Sequence, residues 1–190
     1  MSSSGTKDIL IEAMASSLQE HGYRSTSTTE VLALTGVSRG SLYFHFPGGK
    51  EALAAAAVHA SGGRITKWIT TEFADGPDAS AATCRLIDGF AEALDASQFT
   101  KGCPVALSAL EVGEHESVLQ AAIRAVYADW QSAIGAGLLA RGMGPDAAER
   151  LSELALIQIE GALLLARVSK STRPLMVAKA ALANAIGETL

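Results

Sequence analysis

Residues 27–50 read STTEVLALTGVSRGSLYFHFPGGK and decide how the N-terminal part of the chain folds. The stretch predicts two short helices joined by a tight turn. The first helix is expected to begin at Thr28 or Thr29, because a threonine hydroxyl can accept a hydrogen bond from a backbone N–H of the first turn, and Glu30 adds a favourable negative charge. Gly36 follows the last apolar position, where a residue that tolerates positive φ can end the helix.

The second helix is predicted over residues 39–45, with Ser38 as its cap. Leu42 and Phe46 lie four positions apart, so they share one face, which should turn toward the first helix. The expected core side of the first helix is formed by Val31, Leu32 and Leu34.

The rest of the second helix carries polar and aromatic side chains, namely Arg39, Ser41, Tyr43, Phe44 and His45. Such side chains around one exposed turn suggest contact with a partner, and the DNA major groove suits them. Arg39 can pair with guanine O6 and N7 or with a phosphate, while Tyr43 and His45 can donate to phosphate oxygens. Gly40 lets the backbone approach the DNA closely. The alternative is an ordinary αα corner with a solvated outer face.

The pattern T…V…TGVSRGSLYFHF…K, between residues 7 and 53, resembles the helix-turn-helix signature of the TetR/AcrR family of transcriptional regulators. FPGGKEAL and the later GCPV, which starts at Gly102, are similar to the LmrA/YxaF-like subgroup of that family. Many members of the wider family have one residue fewer before the lysine, which shifts the start of the next helix. The exposed residues of the second helix and the resemblance together predict the DNA contacts, with Thr28 and Lys50 implied by the resemblance: Thr28, Ser38, Arg39, Gly40, Ser41, Tyr43, Phe44, His45 and Lys50.

Composition favours an all-α protein, because 48% of the 190 residues are hydrophobic, only 5% are aromatic, and alanine and leucine are abundant. Glycine and proline breaks predict about nine helices. Besides the two above, they are expected at about 6–21, 50–72, 79–97, 103–113, 116–141, 146–169 and 172–189. The resemblance implies a three-helix DNA-binding domain over residues 1–49 and a helical ligand-binding and dimerisation domain over residues 50–190, with the fourth helix carrying the ligand signal between them.

The formal net charge of −5 argues against charge-driven binding of nucleic acid over the whole surface. Residues 1–50 hold four basic and four acidic residues, so the remainder of the chain carries the entire negative charge. Neither a long apolar span nor an apolar signal core is found in the sequence, and a cytoplasmic location is expected.

The last two predicted helices are unusually apolar. The eighth helix has two apolar sides that must be shielded from water. One side carries Leu151, Ala155 and Ala162, and the other carries Ile157, Leu164 and Val168. The ninth helix is similarly apolar. In the resembling family, two such helices from each subunit form a two-fold four-helix interface, which implies a homodimer. The alternative is the core of a monomer.

By the same resemblance, the body helices enclose a pocket for a small apolar or aromatic inducer. The residues predicted to line it are Trp68, Phe90, Leu107, Glu111, Tyr127, Trp130 and Gln158. Large side chains at helical spacing are more often plain core, and a buried carboxylate can simply pair with an arginine. Both possibilities stay open.

Enzyme motifs are missing from the sequence: it has no HExxH, GxSxG, P-loop or Rossmann glycine pattern. Glu114, His115 and Glu116 are adjacent and would point in different directions on a helix, and Cys84 and Cys103 lack a CxxC spacing. No metal, cofactor or catalytic residue is predicted, and the cysteines are expected to be buried thiols, with a redox switch as the alternative.

The sequence therefore predicts a TetR-like repressor that binds a palindromic DNA operator as a dimer and is released by a small-molecule ligand. The alternatives are a transcriptional activator, a helical ligand-binding adaptor that does not bind DNA, and an enzyme built on a helical bundle.

Overall fold

The computed structural model describes residues 3–189, with side chains from residue 5 onward. Over this range the chain forms nine α-helices and no strand, which confirms the all-α prediction. The helices are α1 (Ser3–Ser25), α2 (Thr28–Thr35), α3 (Arg39–His45), α4 (Gly49–Asp75), α5 (Ala79–Ala96), α6 (Pro104–Glu111), α7 (Ser117–Ala140), α8 (Pro145–Ser169) and α9 (Arg173–Gly187).

Most predicted helix ends are close to the observed ones, but α4 extends to Asp75 rather than residue 72, and α1 and α6 also differ. Helix α1 begins at Ser3 rather than Thr6, and it breaks at Gly22 (φ 76°, ψ −177°) before helical structure resumes as far as Ser25. Helix α6 is shorter than expected, because it ends at Glu111. Its cap is Cys103, whose Sγ accepts a hydrogen bond from the Ala106 N–H at 3.4 Å, so this cysteine has a capping role that the sequence did not reveal.

The contacts divide the chain into two compact units. Unit 1 comprises Met1–Gly63 and Cys103–Tyr127, and unit 2 comprises Arg64–Gly102 and Ala128–Leu190. This grouping by contact places α6 with the first three helices, because α6 packs on α1. The predicted boundary between residues 49 and 50 separates a DNA-binding domain from a ligand-binding and dimerisation domain. It divides the chain by function and not by contact, and it remains a prediction.

The core of unit 1 forms around α1. Leu10, Met14 and Leu18 follow one another at four-residue steps and are all fully buried. Helices α2, α3 and α6 contact α1, and α6 contributes the buried Val105. Helix α1 therefore supports α2 and α3.

In unit 2, α5 and α8 both pack against α9. The buried side of α9 consists of Leu175, Ala178, Leu182 and Ile186. A polar contact reinforces this packing, since Lys179 Nζ lies 2.7 and 2.6 Å from the two carboxylate oxygens of Asp88 on α5. The Asp88 carboxylate raises the pKa of Lys179 by accepting these hydrogen bonds.

The end of α4 in unit 2 is held by Arg141. Its guanidinium donates to the carbonyl oxygens of Phe73 and Ala74 and to that of Pro77, at distances of 2.5 to 3.1 Å. The last carbonyls of a helix lack partners within the helix, so this arginine supplies the missing donors.

No helix among the described residues is both long enough and apolar enough to cross a membrane.

Candidate nucleic-acid interface

The turn between α2 and α3 is built from three local features. Ser27, rather than the predicted Thr28 or Thr29, caps α2, since its hydroxyl accepts from the Glu30 N–H at 3.0 Å. Gly36 ends α2 in the left-handed conformation (φ 67°), and its N–H donates to the Leu32 carbonyl at 2.9 Å. Ser38 caps α3 as predicted by accepting from the Ser41 N–H at 3.2 Å. These contacts fix the angle at which α3 leaves the turn.

The two sides of α3 differ as the sequence predicted. Leu42 is fully buried and Phe46 is nearly so, which anchors the helix against α1. On the opposite side Phe44 is 77% exposed and Tyr43 is 44% exposed. Arg39 and Gly40 are exposed too, and Ser41 and His45 are partly exposed. The structure thus places this group of predicted DNA-contacting residues on one accessible surface.

Neighbouring side chains on this surface support one another. The Arg39 guanidinium carbon lies 5.9 Å from the centroid of the Tyr43 ring, within the range of a cation–π contact. The rings of Phe44 and His45 meet edge to face at 5.1 Å. Such contacts restrict the rotamers of side chains that would otherwise move freely, so less ordering is needed when a partner binds.

Two of the remaining predicted residues lie at helix N-termini, where unpaired N–H groups favour anions. Thr28 is the first residue of α2 and is partly exposed. Lys50 follows the first residue of α4, and its Nζ donates to the Arg24 carbonyl at 3.4 Å and lies 4.5 Å from the centroid of the Tyr23 ring. Burial lowers the pKa of Lys50, and the nearby Arg24 guanidinium lowers it further.

One residue expected in the core of α2 is found elsewhere. Leu34 is 68% exposed, whereas Val31 is fully buried and Leu32 is partly buried. The prediction for Leu34 was wrong, because Val31 alone among the eight residues of α2 is buried and Leu34 lies in solvent.

The seven predicted ligand residues are distributed over both units. Leu107, Glu111 and Tyr127 belong to unit 1, and Trp68, Phe90, Trp130 and Gln158 belong to unit 2. Within unit 2 the structure brings Trp68 and Phe90 together, with ring centroids 5.0 Å apart and an edge-to-face arrangement. The Trp68 indole N–H donates to the Glu72 carboxylate at 3.0 Å, so the ring is held at both its apolar and polar ends.

Glu111 has partners within unit 1. Its carboxylate Oε2 accepts from the backbone N–H of Arg24 at 2.7 Å, and its carbonyl accepts from the Arg24 Nε at 3.0 Å. Sequence reasoning could not find this pair, because the residues lie 87 positions apart and no motif joins them.

A surface groove of about 550 Å³ lies between α8 and α9 in unit 2. It is lined by Leu151, Leu154 and Ile157 from α8 and by Ala185, Glu188 and Thr189 from the C-terminal end of the chain. None of the seven predicted ligand residues contributes to it.

Comparison with known families accounts for most of the chain. Residues 10–57 match the model of the bacterial regulatory proteins of the tetR family, and residues 79–181 match the C-terminal domain of LmrA/YxaF-like transcriptional regulators. The chain belongs to the TetR family. TetR-family proteins are DNA-binding transcriptional regulators and not enzymes, which confirms the predicted function class.

Relatives of this TetR-family protein match it over nearly their whole length. An HTH-type transcriptional regulator of Mycobacterium tuberculosis is 32% identical over 176 residues, covering 90% of this chain and 89% of that protein. LmrA of Bacillus subtilis, also an HTH-type transcriptional regulator, is 30% identical over 181 residues, covering 93% and 94%. The predicted LmrA/YxaF-like subgroup is thereby confirmed.

Solved structures show the same fold. The regulatory protein TetR from Rhodobacter sphaeroides superposes with a TM-score of 0.82 at 26% identity, covering 93% of this chain and 96% of that one. A mutant of the TetR-family regulator CifR, complexed with 26-base-pair double-strand operator DNA, superposes with a TM-score of 0.80 at 19% identity, covering 92% and 94%.

Proposed function

We propose that this TetR-family regulator is a repressor that binds a palindromic operator as a homodimer and is released by a small apolar or aromatic ligand. The observation that carries the proposal is the outer surface of α3, where donors and aromatic rings are exposed opposite a firmly buried anchor. A helix of seven residues with this division can enter a major groove while its other side stays packed on α1.

Each exposed side chain of α3 suits a particular part of the groove. Arg39 provides a planar pair of donors for guanine O6 and N7, and Phe44 offers an apolar surface for a thymine methyl group. Ser41, Tyr43 and His45 can donate to base edges or phosphates, and Gly40 adds no side chain that would hold the backbone away. Base contacts by Arg39 and Phe44 would then supply most of the sequence preference.

Residues around the outer surface of α3 are proposed to contact the phosphates of DNA. The hydroxyls of Thr28 and Ser38 lie at the starts of α2 and α3, where the helix dipole also attracts anions. The Ser38 oxygen accepts the Ser41 N–H, which leaves its own proton for donation to a phosphate. Lys50 would contact a phosphate by exchanging its hydrogen bond with the Arg24 carbonyl for a stronger, charge-assisted one.

Homodimerisation is supported by the outer side of α8 and α9. Its large apolar residues are exposed within the chain: Ile157 63%, Leu164 49%, Leu165 60%, Val168 76% and Val177 63%. An apolar surface of this kind, on two adjacent helices, marks an interaction site. A symmetric four-helix interface would cover it and would give the dimer two copies of α3, and two recognition helices read successive major grooves when they lie about 34–36 Å apart.

The ligand is proposed to bind among the body helices of the domain over residues 50–190. The edge-to-face pair of Trp68 and Phe90 is the best-supported part of this proposal, because aromatic rings bind apolar and aromatic ligands. The other proposed contacts are Leu107, Tyr127, Trp130 and Gln158. Glu111 would have to give up its contacts with Arg24 to serve a ligand, so its role in ligand binding is the least supported.

The test is selection of random duplex DNA on the purified full-length protein, followed by measurement of the molecular mass of the free protein and of the complex. We expect an enriched palindrome bound by one or two dimers. If a folded, dimeric protein enriches no motif, or if the enriched motif lacks two-fold symmetry, the proposed mode of operator binding is wrong. A reporter gene placed behind the selected sequence then separates repression from activation.

A further inference from the structure

Residues 22–27, which comprise the part of α1 after its break at Gly22 and the two residues before α2, are called the α1–α2 link here, and contacts from distant parts of unit 1 hold this link. It begins at Gly22, whose conformation (φ 76°, ψ −177°) is one that residues with a side chain avoid. A β-carbon at this position would also lie only 2.7 Å from Glu111 Oε2. The bend in α1 and the approach of the Glu111 carboxylate therefore depend on the same glycine.

Arg24 is the centre of these contacts. Its backbone N–H donates to Glu111 Oε2 at 2.7 Å, and its side chain Nε donates to the Glu111 carbonyl at 3.0 Å. Its Nη2 lies 3.7 Å from Glu116 Oε2, which in turn accepts from the Gly113 N–H at 2.5 Å. The last residue of α6 and the loop after it thus hold both the backbone and the side chain of Arg24.

The other side of the link is held by α4 and by the chain itself. Lys50 Nζ donates to the Arg24 carbonyl at 3.4 Å, and the buried Thr26 donates its hydroxyl to the Gly22 carbonyl at 2.7 Å. Next to Lys50, the Glu51 carboxylate accepts from the N–H groups of Val118 and Leu119 at the start of α7. Residue 27 then caps α2, so whatever fixes the link also fixes where α2 and α3 begin.

We propose that Glu111 is a positioning residue for DNA binding, which sets the orientation of α2 and α3 by holding the link between α1 and α2 against the end of α6. The proposal rests on the proposed use of α3 as the helix that reads DNA. Movement of α6 would reach α2 directly through Arg24, without passing through α4. Glu111 would then act on DNA affinity without touching DNA.

The experiment compares three variants of Glu111 in the full-length protein with the duplex selected above. Glu111→Ala removes the acceptor, Glu111→Gln keeps an oxygen that can accept the Arg24 N–H, and Glu111→Asp keeps the charge but withdraws the acceptor by one methylene. Glu114→Ala is the matched control, because Glu114 is an exposed glutamate three residues further along the chain. The readouts are the Kd, its salt dependence, the melting temperature, and amide hydrogen exchange at Arg24.

We expect Glu111→Ala to raise the Kd about tenfold, within the range of measured coupling between sites, with an unchanged salt slope because no phosphate contact is lost. The Arg24 amide should exchange faster. Glu111→Gln should restore wild-type affinity to within about twofold and Glu111→Asp should be intermediate, because a hydrogen bond and not a net charge does the positioning. Glu114→Ala should match wild type in every readout.

Wild-type affinity in Glu111→Ala, or affinity as low in Glu111→Gln as in Glu111→Ala, would overturn the proposal. If Glu111→Ala does not fold, wild-type affinity in the more conservative Glu111→Asp overturns it equally. Arg39→Ala is measured alongside: loss of binding there but not in the Glu111 variants refutes the positioning role alone. The reverse result refutes the assignment of α3 as the reading helix.

Discussion

Two exposed surfaces of this protein can be compared, the outer side of α3 in unit 1 and the outer side of α8 and α9 in unit 2. Both leave large side chains in solvent, and Phe44 and Val168 are almost equally exposed. Their chemistry differs. On α3 the apolar Phe44 stands among Arg39, Tyr43 and His45, each with a donor, whereas the exposed large hydrophobic residues of α8 and α9 are aliphatic or methionine and carry no donor.

The difference shows that the exposed fraction of the side chains on a surface does not by itself identify the molecule that the surface binds. A surface that carries hydrogen-bond donors at fixed positions can replace its hydrogen bonds to water with hydrogen bonds to acceptors of DNA. Its polar groups then keep their hydrogen bonds when DNA binds. A surface of aliphatic side chains gains only by removing carbon from water, which another apolar surface does best. The first surface is suited to reading a sequence and the second to pairing with its own copy.

The largest expected effect is on the α8–α9 surface. Leu164→Glu would place a carboxylate from each subunit in the proposed interface, and burying such a charge costs several kcal/mol, so the dimer dissociation constant should rise by on the order of a thousandfold. Sedimentation equilibrium of the full-length protein measures it. Leu139→Glu, at a similarly exposed leucine on α7, is the control and should remain dimeric. A dimeric Leu164→Glu variant would rule out this interface.

The next effect concerns α3. Arg39→Ala should weaken binding of the selected duplex by about 1–3 kcal/mol and relax the base preference at one position in each half-site, because a bidentate guanine contact is lost. Competition binding against duplexes altered at each position measures both changes. Arg124→Ala removes the same charge from an exposed site on α7 and should leave the preference intact. A uniform loss across all sequences would instead assign Arg39 to a phosphate.

A smaller effect concerns the turn that joins α2 and α3. Gly36→Ala forces a side chain into the left-handed conformation (φ 67°) at the end of α2 and should destabilise the protein by about 1–2 kcal/mol. Gly63→Ala, at an exposed glycine inside α4, should stabilise it by about 0.5–1 kcal/mol. Chemical denaturation measures both. Equal effects would show that the turn geometry contributes nothing.

The smallest effect is expected at Lys50, at the edge of the surface proposed to bind DNA. Lys50→Ala should reduce the slope of log affinity against log salt by about one, with little change in base preference, because a single phosphate contact is lost. Binding at several salt concentrations tests this, with the exposed Lys67→Ala on α4 as the control. An unchanged slope would mean that Lys50 keeps its hydrogen bond to the Arg24 carbonyl in the complex.

Much of the surface proposed to bind DNA could be predicted because its causes are local. A glycine past the last apolar residue, a serine before a helix, and two apolar residues four apart each act within one or two helical turns, and Gly36, Ser38, Leu42 and Phe46 all behave as predicted. The cap of α2 was missed because Ser27, Thr28 and Thr29 are adjacent and all have hydroxyls, so the pattern alone does not choose among them.

The sequence by itself determined that the described chain is all-α, where its helices break, and that α8 has two apolar sides, because helical periodicity and turn residues act over a few positions. Only the tertiary structure decided that Leu151, Ala155 and Ala162 are buried while Ile157, Leu164 and Val168 stay exposed. It also decided that Glu111 holds Arg24, 87 residues away. Periodicity defines the sides of a helix relative to its own axis, whereas packing among distant segments selects what each side contacts.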